Sequence, residues 1–234
     1  MNKKKKMDII YEDKEFLVIN KPSGLLTIAT EKEKIKTLYH EARTYIKKQN
    51  PKNKIFIVHR LDKETSGIVV FAKNEKLKNK LQEHWNDYVK NREYLAIVEG
   101  KMTKKKETLT YYLKESKTHQ VFISDEKNGK KATTHFSLLA NNKAYSLLKI
   151  NLETGRKNQI RVSLNEYGHP IIGDKKYDST KNPIGRLGLH ATLLELEINQ
   201  KKYKWCAKVP ENFKKMFENV IETYEINFNN SKNN

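Results

Sequence analysis

Residues 55–71 read IFIVHRLDKETSGIVVF, and the rest of the chain is organised around this stretch. Its two ends, residues 55–58 and 68–71, are short apolar runs of the kind that form buried strands. Between them, residues 59–67 carry an imidazole, a guanidinium, two carboxylates and two hydroxyls. A connection between strands does not require so many polar groups, so the pattern indicates that chemistry takes place in this loop.

The charge of the chain favours a polyanionic partner. Lys and Arg number 47 against 28 Asp and Glu, which gives a net charge of +19 over 234 residues. Nucleic acid carries regularly spaced negative charge and is the leading candidate; the alternative is a lysine-rich surface without a binding role. If the chain uses lysine wherever any positive charge suffices, the few arginines mark places where a planar, multi-donor group is needed. The arginines are Arg43, Arg60, Arg92, Arg156, Arg161 and Arg186.

Cysteine content and hydropathy indicate the cellular compartment of the protein. Cys206 is the only cysteine, which excludes an intramolecular disulfide and a cysteine-cluster metal site, and we expect it to be a small buried hydrophobe. Acidic residues follow the basic start of the chain without an apolar segment, so no signal peptide is predicted. No run approaches the ~20 apolar residues of a membrane span. We expect a cytoplasmic protein that does not contact membranes.

Periodicity predicts an α+β fold: a single domain in which a mixed, largely antiparallel β-sheet is flanked by helices. The predicted strands are residues 9–11, 16–20, 55–58, 68–71, 92–100, 108–113, 120–124, 133–139, 145–152, 191–198 and 202–207. The predicted helices are residues 37–49, with Thr37 as N-cap, residues 75–88, residues 157–167 and a last helix that begins at Pro210. The domain should cover residues 1–226, and the Asn-rich residues 227–234 should be disordered.

Asp62 is the strongest candidate for chemistry in the central loop. A carboxylate there can act as a nucleophile, a general base or a metal ligand. His59 and Asp62 are too small a ligand set for a metal site, and Ser66 lacks the pattern of an activated nucleophilic serine. The chain has no Gly-rich phosphate loop and no dinucleotide-binding fingerprint. We therefore expect neither a metal nor a nucleotide cofactor.

The segment HRLDKETSG at residues 59–67 matches the HRLDxxTSG signature of the RluA-type pseudouridine synthases, which isomerise uridine to pseudouridine in RNA. Further segments resemble family motifs in the same order: residues 20–25, 90–94 with Gly100, 154–161, 168–170, 173–177 and 186–191. The resemblance implies the pseudouridine synthase fold, no cofactor and a partner that is structured ribosomal or transfer RNA. Twenty residues precede Lys21, so we expect a stand-alone catalytic domain without an S4-like domain, acting as a monomer without a required protein partner.

The resemblance also implies roles for individual residues. Asp62 is the catalytic carboxylate, which attacks the sugar, attacks the base or removes a sugar proton; these three paths stay open. Arg161 resembles the arginine that pairs with the catalytic aspartate, and Tyr94 the tyrosine that stacks on the target uracil. Arg60 resembles the residue that fills the space left by the flipped base. The remaining candidates for substrate binding are Ile160 and Leu164, as an apolar wall, with Lys21 and His190.

Two departures from the family pattern keep a second hypothesis open. Asn158 and Ser163 stand where many members have histidines, so no role is transferred to these two side chains. The alternative is a non-catalytic RNA-binding or RNA-folding protein on the same scaffold, which a lysine-rich surface could support because phosphate contacts position RNA without reading its sequence.

Overall fold

The computed structural model describes residues 7–230, with side chains described to residue 227. Its strands are β1 Ile9–Glu12, β2 Phe16–Lys21, β3 Phe56–Ile57, β4 Ser66–Ala72, β5 Val89–Glu99, β6 Lys106–Glu115, β7 Val121–Ser124, β8 Lys130–Asn141, β9 Tyr145–Leu152, β10 Leu189–Ile198 and β11 Lys201–Cys206. Its helices are α1 Leu38–Gln49, α2 Glu75–Glu83, α3 Trp85–Tyr88, α4 Gln159–Glu166 and α5 Glu211–Asn230. The predicted α+β class, with helices flanking a mixed, largely antiparallel β-sheet, is confirmed.

The chain folds into two compact units that alternate along the sequence. The first unit comprises the described residues up to Lys90 together with residues 191–208. The second comprises residues 91–190 and the described residues from Val209 onward. Each unit is therefore built from separate pieces of chain, and the single catalytic domain over residues 1–226 stays a prediction.

In the first unit, β2 pairs antiparallel with β1 and with β4, and β4 lies beside β10, which forms a hairpin with β11. Residues 16–19 of β2 are fully buried, and every residue of β4 is buried, because these apolar runs supply the core of the unit. The register sets Lys21 opposite Gly67. The turn that leaves β2 therefore lies beside the loop that carries Asp62.

The helices of the first unit follow local signals, with one correction. Thr37 caps α1 by accepting a hydrogen bond from the His40 amide at 3.1 Å, as predicted. The predicted helix over residues 75–88 is two helices, because His84 (ψ 39°) leaves the helical conformation between α2 and α3. Cys206 lies on β11 and is half-buried, so it is less enclosed than predicted.

The strands of the second unit form an antiparallel arrangement in which β8 pairs with β6 instead of with β7. These strands lie in the order β5-β9-β8-β6-β7, and each neighbouring pair is antiparallel. One apolar cluster fills one side of this sheet against α4, and another packs against α5. The first of these clusters contains predicted site residues, as described below.

Both helices of the second unit differ from their predicted bounds. Helix α4 begins at Gln159 instead of Lys157. Asn158 adopts a left-handed conformation (φ 53°), so the right-handed helix can begin only after this residue. Helix α5 continues through residues 227–230, which were predicted to be disordered, while residues 231–234 of that predicted tail lie outside the described residues. Among the described residues, no helix has the length and hydropathy of a membrane span.

Candidate active-site residues

Asp62 lies in the loop between β3 and β4. The residues on either side of it are held by hydrogen bonds to their backbone groups. The buried Thr27 hydroxyl donates to the Leu61 carbonyl at 2.7 Å and accepts from the Leu61 amide at 3.2 Å. On the other side, the Gly24 amide donates to the Lys63 carbonyl at 2.9 Å. Asp62 itself is half-buried. The loop therefore presents its carboxylate from a fixed backbone, which is what a catalytic group requires.

The Lys21 side chain holds the backbone of the same loop. This side chain is 0% exposed, and its ammonium donates to the carbonyls of Lys63 at 3.0 Å, Pro22 at 3.0 Å and Leu25 at 2.8 Å. A buried ammonium is stable only when such acceptors replace its hydration. The structure thus gives Lys21 a positioning role for the loop, and its predicted contact with substrate stays a prediction.

Residues at both ends of this loop have structural roles. His59 Nε2 accepts from the Val70 amide at 2.9 Å, and the imidazole packs on the Trp85 ring at 4.9 Å between centroids. Gly67 has φ +114°, and a Cβ there would lie 2.1 Å from the Ala191 carbonyl oxygen. Only glycine fits this position. Arg60, in contrast, is exposed, as expected for a residue that contacts RNA.

In the second unit, Tyr94 on β5 packs against an apolar cluster to which Ile160 and Leu164 of α4 belong. Ile160 is 5% exposed and Leu164 is fully buried, whereas Tyr94 is only partly buried. The structure therefore brings these three predicted residues together. Behind a partly exposed aromatic ring they form the apolar support that a stacking platform needs.

Arg161 is enclosed by a set of side chains that the sequence did not predict. Its Nε and Nη2 donate to the two carboxylate oxygens of Asp174, both at 2.7 Å, and its Nη1 donates to Asn158 Oδ1 at 3.2 Å. The guanidinium also lies over the Tyr177 ring, 5.1 Å from the centroid. Such a bidentate pair fixes both the position and the plane of the guanidinium.

Asp174 is 1% exposed, so the pair with Arg161 is a buried ion pair. The predicted pairing of Arg161 with Asp62 stays a prediction, and Asp174 is the bidentate partner that sequence reasoning missed. One signal was available: a buried arginine is always charged and requires a carboxylate, and Asp174 belongs to the motif at residues 173–177.

The two departures from the family pattern have different environments. Asn158 accepts from Arg161 and donates from its amide to the Tyr177 hydroxyl at 2.9 Å. Burial raises the pKa of Tyr177, and the hydrogen bond from Asn158 opposes this rise without cancelling it. Ser163 is fully buried in α4. Asn158 therefore acts as a positioning residue in the arginine cluster.

His190 occupies a different environment from the other candidates of its unit. It is fully buried, and its ring contacts the Phe213 ring at 6.2 Å between centroids in an edge-on arrangement. Phe213 belongs to the apolar cluster that packs around α5, whereas Tyr94 packs against the cluster of Ile160. The substrate-binding role of His190 stays a prediction.

The segment that carries Asp174 is anchored through Glu99. Its carboxylate accepts from the Ser179 hydroxyl at 2.7 Å, the Lys181 amide at 2.8 Å, and the amide and hydroxyl of Thr180 at 2.7 and 2.9 Å. Burial raises the pKa of Glu99, but the hydrogen bonds from these three residues outweigh it, so the pKa is lowered. The charged form of Glu99 is therefore the form that holds this segment.

Two solved human structures share this fold. The protein named RNA Pseudouridylate Synthase Domain Containing 1 superposes with a TM-score of 0.71 at 24% identity, covering 90% of this chain and 87% of that chain. For RNA Pseudouridylate Synthase Domain Containing 4 the TM-score is 0.72 at 23% identity, with 87% and 88% covered. This likeness defines the class of fold, that of the pseudouridylate synthases.

Sequence comparison defines the family. The family model described as RNA pseudouridylate synthase matches residues 15–166. An uncharacterized RNA pseudouridine synthase of Bacillus subtilis, YhcT, is 36% identical over 191 residues; the match covers 81% of this chain and 63%, less than two thirds, of that protein. The ribosomal large subunit pseudouridine synthase D of Borreliella burgdorferi is 33% identical over 228 residues, covering 94% of this chain and 70% of that protein.

The chain therefore belongs to the RNA pseudouridylate synthase family. At the level of the family, the prediction of a pseudouridine synthase, an isomerase that modifies RNA, is confirmed.

Proposed function

We propose that this protein isomerises specific uridines in structured ribosomal or transfer RNA to pseudouridine, with Asp62 as the catalytic carboxylate. The observation that carries the proposal is the fixed backbone around Asp62, held by Thr27, Gly24 and Lys21. Relatives named as ribosomal large subunit pseudouridine synthases support ribosomal RNA as a substrate. With such substrates, the proposed place of action is the cytoplasm, and the proposed state is a monomer.

The reaction is an isomerisation and balances without a further reactant. The bond between uracil N1 and the sugar C1′ breaks, a bond between C5 and C1′ forms, the proton on C5 leaves and N1 gains a proton. An ionised Asp62 serves each of the three paths, as a nucleophile toward the sugar or the base or as a base toward a sugar proton. No step requires an oxidant, an energy source or a metal.

The target uracil has to leave its stack before Asp62 can reach it. Tyr94, supported by Ile160 and Leu164, is the proposed platform on which the flipped uracil stacks. The exposed Arg60 is proposed to fill the space that the base leaves. Arg161 is proposed to pair with the Asp62 carboxylate and orient it, because a guanidinium forms charge-assisted hydrogen bonds of fixed geometry with a carboxylate.

The test uses RNA transcribed in vitro and tritiated at uridine C5, because every turnover releases the C5 proton. Wild type is expected to release tritium from ribosomal or transfer RNA, and Asp62→Asn is expected to release none above background. Glu64→Gln changes a neighbouring exposed carboxylate and serves as the matched control, with release close to wild type.

Two outcomes would overturn the proposal. If wild type released no tritium from any of these RNAs, the protein would not be a pseudouridine synthase for them. If Asp62→Asn released tritium at the wild-type rate, the reaction would not depend on this carboxylate. Wild-type RNA binding without turnover would favour the non-catalytic RNA-binding alternative.

A further inference from the structure

The turn between β6 and β7, residues 116–120, brings two ammonium groups to one point. The carbonyl of His119 accepts from the Lys157 Nζ at 3.3 Å and from the Lys176 Nζ at 3.2 Å. The two Nζ atoms therefore lie no farther apart than the sum of these distances. Lys157 precedes α4, and Lys176 belongs to the segment that carries Asp174, so three separate segments of the second unit meet here.

An acidic residue and a histidine also lie at this turn. Glu115 provides a carboxylate, which accepts from Lys157 at 2.5 Å and contacts the His119 imidazole at 2.7 Å. The hydrogen bonds from Lys157 and then His119 lower the pKa of Glu115, so it is charged at neutral pH. Its side chain and that of Lys157 are 40% and 37% exposed, so both can be reached from solvent. Further basic side chains of the same segments are exposed: Lys117, Arg156 and Lys175.

We propose that Lys157, Lys176 and the β6–β7 turn bind a backbone phosphate of the RNA substrate, and that this phosphate takes the place of Glu115 at Lys157. The inference rests on the proposed function, since RNA is the partner that this function requires. Two ammonium groups close to one neutral carbonyl repel each other, and a phosphate between them replaces this repulsion with two charge-assisted hydrogen bonds. The carboxylate of Glu115 occupies one of these positions in the absence of RNA.

The surface is joined to the arginine cluster by a chain of hydrogen bonds. The Tyr177 hydroxyl donates to the Val121 carbonyl at 3.2 Å, at the end of the turn, and accepts from Asn158 at 2.9 Å. Arg161 lies over the Tyr177 ring and also donates to Asn158. A phosphate on this surface would therefore position RNA next to the segments that hold Arg161.

The experiment measures binding of a fluorescein-labelled RNA hairpin with a uridine-rich loop as a function of salt. Lys157→Gln/Lys176→Gln is expected to weaken binding about tenfold, since each exposed charge contact contributes up to about a factor of five. The slope of log K against log salt should become shallower by about 0.7, because the two lysines bind one phosphate and each neutralised phosphate of single-stranded RNA contributes about 0.7. Lys143→Gln/Lys215→Gln removes two exposed charges elsewhere in the unit and should leave the slope nearly unchanged.

A second variant tests the displacement of the carboxylate. Glu115→Gln should tighten binding about threefold, because the phosphate no longer competes with a negative charge for Lys157. Unchanged or weaker binding by this variant would overturn the displacement. An equal change of slope in both double-lysine variants would overturn the proposal of a phosphate-binding surface, because the effect would then come from the overall charge of the protein.

Tritium release in parallel separates this inference from the proposed function. For the Lys157→Gln/Lys176→Gln variant, KM should rise about tenfold while kcat stays close to wild type. If wild type turned over RNA but the salt slope of the Lys157→Gln/Lys176→Gln variant equalled that of wild type, only the proposal of the phosphate surface would fail. If wild type bound with the expected slopes but never turned over, the surface would stand and the proposed function would fail.

Discussion

Asp62 and Asp174 are two carboxylates that the protein places by opposite means. Around Asp62, neighbouring backbone groups are held by Thr27, Gly24 and Lys21, and the side chain is half-buried. At Asp174, both side-chain oxygens bind Arg161 and the residue is buried. The first arrangement fixes the backbone on both sides of a carboxylate, and the second uses a carboxylate to hold another side chain. The difference shows that a protein can fix a carboxylate either through the backbone of the residues beside it or through hydrogen bonds to its own oxygens.

The largest expected effect comes from breaking the second arrangement. Asp174→Asn should lower the free energy of unfolding by about 4 kcal/mol, because it removes the buried carboxylate that binds the guanidinium of Arg161 through two hydrogen bonds. Urea unfolding followed by circular dichroism measures the loss. Asp178→Asn, an exposed aspartate in the same segment, is the control and should cost little. A loss below about 1 kcal/mol for Asp174→Asn would show that the pair does not hold this region.

The next effect tests how tightly the loop of Asp62 is anchored to the sheet. Gly67→Ala should lower the free energy of unfolding by about 3 kcal/mol, through positive-φ strain and the 2.1 Å approach to the Ala191 carbonyl. Gly24→Ala is a matched control, because Gly24 has φ +84° but open space where the Cβ would be. It should cost about 1 kcal/mol from strain alone. Equal losses in the two variants would rule out the clash.

A smaller effect distinguishes positioning from folding in the first arrangement. Thr27→Val should lower the free energy of unfolding by about 2 kcal/mol, since the Leu61 amide and carbonyl lose a buried partner. Tritium release should fall about tenfold in kcat, because a small displacement of a catalytic group is costly. Thr30→Val, on the exposed part of the same segment, should leave kcat unchanged. If Thr27→Val kept wild-type kcat, the hydroxyl would not position Asp62.

The smallest effect concerns Glu99 and depends on pH. Its pKa is lowered in the folded protein, so its contribution is present above the unfolded pKa of glutamate, about 4.3, and is lost as the pH falls through the folded value. Glu99→Gln should therefore cost about 1 kcal/mol at pH 7. The difference from wild type should shrink below about pH 4. Urea midpoints of both proteins across this range provide the measurement, and a constant difference would contradict the assignment.

The first arrangement could be predicted from sequence because its signals are local. Two apolar runs around a polar loop predicted β3, β4 and the place of Asp62, and Thr37 at the start of a periodic segment predicted the cap of α1. The arrangement around Lys21 is the exception. A lysine in a turn is ordinarily exposed, and its burial depends on carbonyls that include one from the distant Lys63.

The second arrangement depends on contacts between segments and left little local trace. Asp174 and Arg161 are separated by a helix end and a turn, and a buried pair of this kind has no periodicity that a sequence pattern can reveal. The start of α4 was placed too early because Asn158 is compatible with a helix, whereas its left-handed conformation lets it reach both Arg161 and Tyr177. At His84 the backbone leaves the helical conformation although histidine is not a helix-breaking residue, so the sequence pattern did not reveal the break.

The alternation of the two units along the chain has a consequence for synthesis on the ribosome. The first unit needs residues 191–208, which supply β10 beside β4, and these residues are translated only after residues 91–190 of the second unit. Domains translated as continuous segments can fold one after another as they emerge. Here β4 can pair with β2 as soon as both have emerged, but its place beside β10 stays open while residues 91–190 are synthesised. We therefore expect the first unit to complete its core only after β10 has emerged.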